Sequence, residues 1–241
     1  MSAEDSSTIS RIIRNAAIIF SVLMPVAALG TRFDIWLFTT GLMLFALSMA
    51  GSLIIQIINA IWLLRKPKVA TRTVLRWASL IALPPLVIVA IVLQGIAEGN
   101  PAIHNITTDV LEPPAFEQAQ VQRGEGSNSL DYSPELAQTQ AQAYPDLAPI
   151  ISALTPSDAF DRALAICEEN GWQVYLQDSQ RGLIEAADTT FWFGFKDDIA
   201  IRIRSTDTGS KLDLRSVSRV GVSDMGLNAK RIRAFTASFK Q

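Results

Sequence analysis

The chain has 241 residues, with 21 Lys and Arg against 23 Asp and Glu, one His and one Cys, and its mean hydropathy is positive. No segment carries the net basic excess of a nucleic-acid binder, and the single Cys167 rules out an intrachain disulfide framework. Charge is unevenly placed: residues 1–97 hold eight bases and three acids, residues 98–146 one base and eight acids, and residues 147–241 twelve of each.

The first segment is predicted to be a three-span membrane anchor, residues 1–97. Apolar runs extend from about Asn15 to Gly30, from Ile35 to Leu64 and from Trp77 to Ala97. A hydrocarbon core of about 30 Å needs roughly 20 helical residues. The first run is short, contains Pro25 and ends in Val26–Ala27–Ala28–Leu29–Gly30, so a cleaved signal peptide is its alternative reading. Between the second and third runs lie Arg65, Lys66, Lys68, Arg72 and Arg76 without an acid, and Arg11 and Arg14 precede the first. The positive-inside bias then puts the N-terminus and the basic loop in the cytoplasm and everything after Ala97 outside. In a Gram-negative cell that is the periplasm, and the bilayer is the inner membrane. Trp36, Trp62 and Trp77 lie near span ends, where indole favours the interface.

No Asp, Glu, Lys, Arg or His falls inside the runs, which argues against a pump or secondary transporter. Ala46 and Ala50, with Ser48 and Ser52, give small residues four apart, and Gln56 and Asn59 share a face suited to hydrogen-bonding a neighbouring span. Pro84–Pro85 should kink the third run.

Residues 98–146 read as an extended segment followed by a flexible acidic linker. The stretch 117–143 is rich in Gln with Gly124, Gly126 and Pro134, and buries too little apolar surface to offset its ordering entropy. Its start, from Pro101 to Phe116, carries Ile103, Ile106, Val110 and Leu111 and could add to the folded domain as a strand or strap. His104 is the sole histidine, too little for a zinc site. Asn105–Ile106–Thr107 matches a glycosylation acceptor, of consequence only in a glycosylating compartment.

Residues 147–241 read as an α+β domain. Thr155, Pro156 and Asp158 form a helix start, Gly171 a stop, and Ala159, Phe160, Ala163, Leu164 and Cys167 an apolar stripe. Strand-like stretches follow at 172–176, 183–187, 191–195, 199–204 and 212–220, with Thr206–Gly209 as a hairpin turn. A final helix begins near Ser223 or Asp224, with Leu227, Ile232, Phe235 and Phe239 facing the core. The order indicates an antiparallel sheet with flanking helices. Parity puts Ile199, Ile201, Ile203, Leu212 and Leu214 on one face, and Arg202, Arg204, Asp213, Arg215 and Arg219 on the other. That charged face is either a solvated set of cross-strand pairs, Arg202 opposite Asp213, or an anion-binding surface. Its ligand-binding candidates are Arg202, Arg215, Arg219, Asp197 and Asp198.

No catalytic or metal site and no cofactor motif emerges. Gly221–Val222–Ser223–Asp224–Met225–Gly226 misses a nucleophile elbow by one residue, and a helix cap explains it better.

Phe191–Asp198, Arg215–Ile232, and Asn105–Asp109 with Pro113–Phe116 resemble the domain of unknown function 1499 family, found in bacteria and often behind transmembrane segments. The resemblance implies no reaction. It marks Phe195, Asp197, Asp198, Arg215, Ser216, Ser218, Arg219, Gly221, Asp224, Asn228 and Arg231 as motif positions. The expectation is a non-enzymatic inner-membrane protein, embedded in the lipid bilayer, whose periplasmic domain binds an envelope protein or lipid. The alternatives are an envelope-directed hydrolase or transferase using Ser223 or His104, and a structural subunit of a membrane complex.

Overall fold

The computed structural model describes residues 7–97 and 99–241. The chain forms two compact units, one of residues 1–98 with Phe191–Gly194 and one of residues 99–190 with 195–241. Glu98, where the linker was expected to start, lies outside the described residues.

The first unit is helical: α1 (Thr8–Arg32), α2 (Phe38–Leu64), α3 (Val69–Ile81) and α4 (Leu83–Ala97). Ser7 caps α1 by accepting from Ser10 N at 3.2 Å. Helices α1 and α2, of 25 and 27 residues, are each long and apolar enough to cross a bilayer. The expected third span is not one straight helix. It is the pair α3 and α4, bent by 40° at Ala82, so the candidate spans among the described residues number two, or three if the bent pair counts as one. Proline explains the break. Pro84 and Pro85 have no N–H for the carbonyls four residues earlier, and Ser21 Oγ donates to the orphaned Ile81 carbonyl instead.

Polar side chains tie these helices to one another. Asn59 Nδ2 donates to Leu75 O and Ser79 Oγ, both at 2.6 Å, and Gln56 Nε2 to Ser79 O at 2.8 Å. The expected Gln56/Asn59 face is therefore engaged. The buried small-residue stripe of α2 is Gly41, Ser48, Gly51 and Ser52, whereas Ala46 and Ala50 face outward. Ser48 Oγ donates to Phe20 O, and a Cβ on Gly51 would stand 2.3 Å from the Phe20 ring. Within this unit Arg32 donates to Phe191 O, and the Phe45 and Phe193 rings meet edge to face.

The second unit is α+β. Its elements are β1 (Asn105–Thr107), α5 (Ala119–Gln122), α6 (Pro134–Ala143), β2 (Ile150–Ser152), α7 (Pro156–Glu169), β3 (Gln173–Asp178), β4 (Leu183–Thr189), β5 (Lys196–Thr206), β6 (Gly209–Ser218) and α8 (Leu227–Phe239). The antiparallel sheet runs β1-β6-β5-β4-β3, with β2 also paired to β6. Thr155 caps α7 as expected, and Gly171, at φ 70°, ends it in the left-handed region. Thr206 and Gly209 close the expected hairpin turn, and Arg202 stands opposite Asp213.

One candidate strand is a correction. Phe191–Phe195 is the connection between β4 and β5, because Gly194 takes φ 70° and Thr190 N bonds to Phe195 O, turning the chain back.

Parity assigns the two faces as expected. Ile184, Ile199, Ile201, Ile203, Leu212 and Leu214 pack with Phe160, Cys167, Ile232 and Phe235 of α7 and α8. The opposite face is covered over much of its area. The extended stretch before Phe116, expected to add as a strand or strap, does so through β1, and a strap that runs on into the 117–143 segment, where a flexible linker was expected, lies across this face: Phe116 and Ala119 pack on Ala200 and Val217, with Leu130 and Tyr175 beside them.

Polar side chains supply much of what apolar area does not. Glu185, buried in β4, accepts from the backbone of Glu117, Gln118 and Ala119 at 2.6, 3.3 and 2.8 Å and so caps α5. Gln140 imitates a further strand, accepting from Thr107 N at 2.9 Å and donating to Thr107 O at 2.6 Å.

Gln140→Leu should cost about 2 kcal/mol in chemical denaturation, because two buried backbone groups lose their partners. Cys167 is fully buried, and burial pushes its thiol up to about 12. A maleimide should therefore label Cys167 only along the unfolding transition; rapid native-state labelling would contradict this packing.

Candidate functional site

The five candidate residues fall among three separate clusters of charged side chains, with Arg215 apart from them. On the strap-covered face, Asp198 of β5 is the centre of the first. Arg123, from the loop after α5, donates to its Oδ2 at 2.7 Å. Arg219, just past β6, donates to Oδ1 at 2.7 Å and to Oδ2 at 3.0 Å, and Tyr175 of β3 to Oδ1 at 3.1 Å. Two guanidinium groups facing one carboxylate leave positive charge over, and backbone carbonyls take it up. Arg123 donates to Asn128 O at 2.8 Å and Arg219 to Gln122 O at 2.9 Å. Burial lowers the Arg123 guanidinium pKa, which Asp198 opposes. Burial, and then Asp198, raise that of the Tyr175 phenol, which stays a donor.

Arg215 of β6 is held by one amide oxygen, two backbone carbonyls and two aromatic rings. Its Nε donates to Asn105 Oδ1 and its Nη1 to Pro114 O, each at 3.0 Å, while Nη2 reaches Leu130 O. The Phe116 and Tyr132 ring centroids lie 5.2 and 5.6 Å from its guanidinium carbon. Burial pushes its pKa down to about 10, leaving it charged at neutral pH. This side chain fastens the strap at three points and to two rings.

A second cluster is partly open to solvent, at the β5–β6 turn end. Arg202 Nη2 and Arg204 Nη2 each donate to Asp213 Oδ2 at 2.9 Å, and Lys211 Nζ to Asp109 Oδ2 at 3.1 Å. Arg204 also pairs with the exposed Glu112. Three bases meet three acids, so the cluster has no net charge with which to attract an anion.

The third cluster is on the other face. Asp197 pairs with Arg231 of α8 at 2.7 Å; Arg231 also pairs with Asp188 at 2.7 Å and donates to Ser216 Oγ at 3.0 Å. Asn228 bridges the same group, accepting from Ser216 Oγ at 2.6 Å and donating to Ser218 Oγ and His104 O, each at 3.0 Å. Asp224 accepts from Gly226 N at 2.8 Å and Asn228 N at 2.9 Å, so the near-elbow sequence is a helix cap; burial raises its carboxyl pKa.

The five sequence candidates therefore do not converge. Asp198 and Arg219 belong to one cluster, Arg202 to a second and Asp197 to a third, while Arg215 stands between the first two. Ser223 Oγ accepts from Met225 N at 3.1 Å, and His104 Nδ1 faces Val222 O at 3.2 Å. Among the described residues no group of three or more His, Cys, Asp or Glu is arranged to hold a metal ion. A cleft of about 320 Å³ lined by Gln120, Arg123, Gly124, Ser127, Asn128 and Leu130 lies beside the first cluster.

Sequence reasoning missed Arg123, Glu185 and Gln140. The signals were there: Arg123 is the sole base among eight acids in residues 98–146, and Glu185 interrupts an apolar strand. A lone charge in either setting needs a partner.

Asp198→Ala should destabilise the second unit by about 4 kcal/mol by stranding two buried guanidinium groups. Arg215→Gln should cost on the order of 3 kcal/mol through unpaired carbonyls. Arg204→Gln, at the open end, should cost less than about 1 kcal/mol. Equal and small losses in all three, measured by denaturation of the full chain in detergent, would remove the structural role assigned to the buried pair and to Arg215.

A search among curated proteins finds no match. A family model described as "Protein of unknown function (DUF1499)" matches residues 105–239. The matched region runs from the first strand of the sheet to the end of α8 and covers more than half of the sequence, and so the chain belongs to the DUF1499 family.

Proposed function

We propose that this chain is a non-catalytic protein of the bacterial inner membrane, with its N-terminus in the cytoplasm and residues 99–241 in the periplasm, where they bind an envelope lipid or protein. The observation that carries the non-catalytic reading is the saturation of the polar side chains that would otherwise do chemistry. Asp197, Asp198, Arg215, Arg219, Asn228 and Arg231 are tied to one another, to the strap or to α8. An external ligand reaches Arg215 or Asp198 only if the strap lifts, at the cost of stranding buried charge. Binding therefore falls to the outer surface of the domain.

The placement rests on charge. Arg11 and Arg14 lie in the first two turns of α1, and Arg65, Lys66, Lys68, Arg72 and Arg76 lie at the α2–α3 connection and in α3, while at the α1–α2 turn Arg32 is offset by Asp34.

A C-terminal alkaline phosphatase fusion should be active and a C-terminal green fluorescent protein fusion dark. The reverse pattern would put the domain in the cytoplasm and end the periplasmic reading. The double substitution His104→Ala with Ser223→Ala should leave the phenotype of a deletion strain fully complemented. Loss of complementation by a folded double variant would favour a hydrolase or transferase instead.

A further inference from the structure

We propose that the cleft beside Asp198, on the outer side of the strap, is a binding site for a phosphate group, either free or carried by a small polar ester such as a lipid headgroup. This deepens the proposed function by naming the chemistry that the second unit recognises, and it rests on the binding part of that reading.

The loop after α5 builds the cleft. Arg123 ends the helix, Gly126 turns the chain at φ 83°, and Ser127 N returns to Gly124 O at 3.2 Å. Asn128 then ties the loop to the sheet. Its N donates to Arg219 O at 2.7 Å, and its Nδ2 to Ser218 O at 3.0 Å and Gly221 O at 2.8 Å. With both ends of the loop fastened, a ligand meets walls already in place.

Two observations call for an anion there. Arg123 lines the cleft with a side chain only 5 % exposed. Its Nη1 is used on Asp198 and its Nη2 on Asn128 O, but its buried Nε has no hydrogen-bond partner among the described residues. A buried cationic donor without an acceptor carries a free-energy cost that an oxyanion removes. The second observation is charge. Arg219 N donates to Lys196 O at 2.9 Å, so these bases stand opposite each other on neighbouring strands, and parity puts Lys196 on the face of Asp198. Like charges so placed repel. Arg123, Lys196 and Arg219 thus gather about the one buried carboxylate of Asp198. Neighbouring acids do not make up the difference. Glu185 is engaged by three backbone N–H groups, Asp131 offsets Arg215, and Glu125 is exposed on the loop.

The lining selects among anions. Apart from Leu130 it is polar or glycine, so an acyl chain finds no apolar wall, and about 320 Å³ lies at the small end of ligand sites. The ligand is therefore small and polar. Gln120 spends one amide hydrogen on Phe116 O at 3.3 Å and keeps the other, and Ser127 brings a hydroxyl. Together with Arg123 these donors come from α5 and from both ends of the loop. A tetrahedral phosphate offers oxygens to several such donors at once, whereas a carboxylate offers two in one plane.

Titration calorimetry of the full chain in maltoside micelles and phosphate-free buffer tests this with two probes: inorganic phosphate, and glycerophosphoglycerol, which is the headgroup of phosphatidylglycerol without its chains. At least one should bind saturably, and added sodium chloride should weaken it. Binding of inorganic phosphate alone identifies free phosphate as the source; glycerophosphoglycerol binding as tightly or more so identifies the headgroup. Ser127→Ala and Lys196→Gln should each weaken binding roughly fivefold while the denaturation midpoint holds. Weakening in either folded variant supports the site. Unchanged affinity in both, or no saturable signal with either probe, overturns it. If neither probe binds while the full chain still captures an envelope protein, the cleft proposal fails and the wider binding function stands. If the phosphatase fusion places the domain in the cytoplasm while phosphate binds, the compartment falls and the cleft stands.

Discussion

A carboxylate with no access to water must find cations, and in this domain Asp198 finds them on two distant parts of the chain. Arg219 follows β6, 21 positions away, and Arg123 belongs to the strap, 75 positions away. Once desolvated, that group makes the strap's position a condition of the sheet's stability, because a single unpaired buried charge costs more than an exposed ion pair returns. Arg215 imposes the same condition through carbonyl groups and aromatic rings. With those two anchors set, Gln140, Glu185 and the short strands β1 and β2 fall into register with groups that already need partners.

The resulting domain has two unlike interiors. Between the sheet and α7 and α8 lies a conventional apolar core. Under the strap the apolar cluster is small, and hydrogen bonds from side chains to backbone do much of the fastening. The family motif maps largely onto polar fastenings of both faces: Asp198 and Arg219 on one, Asp197, Ser216, Asn228 and Arg231 on the other.

Period-two alternation made β5 and β6 legible, down to the facing of Arg202 and Asp213, and cap residues located the start of α7. The helices α1 and α2 were visible as uncharged runs of sufficient length. Two things were not. The 191–195 run has strand-forming residues throughout, and only the left-handed backbone at Gly194 shows that it turns. The strap was hidden for a different reason: composition estimates how much apolar area a segment can bury, and Gln140, Asn128 and Arg123 are ordered by hydrogen bonds that composition does not count. The charged residues were visible as a set, but their division among separate clusters depends on α8 and the strap, whose partners lie far away in sequence.

Strands β1 and β2 both pair along one edge of β6, although β1 precedes it by about a hundred residues. A growing chain therefore produces the strap long before the strand that will hold it. At roughly 5–20 residues per second, on the order of ten seconds pass before β6 is made. Throughout that interval Arg123 and the edge of β1 lack their partners, so the sheet cannot assemble in the order of synthesis. Completion waits for the last third of the chain, and a molecule interrupted before β5 would expose a strap with nothing to cover.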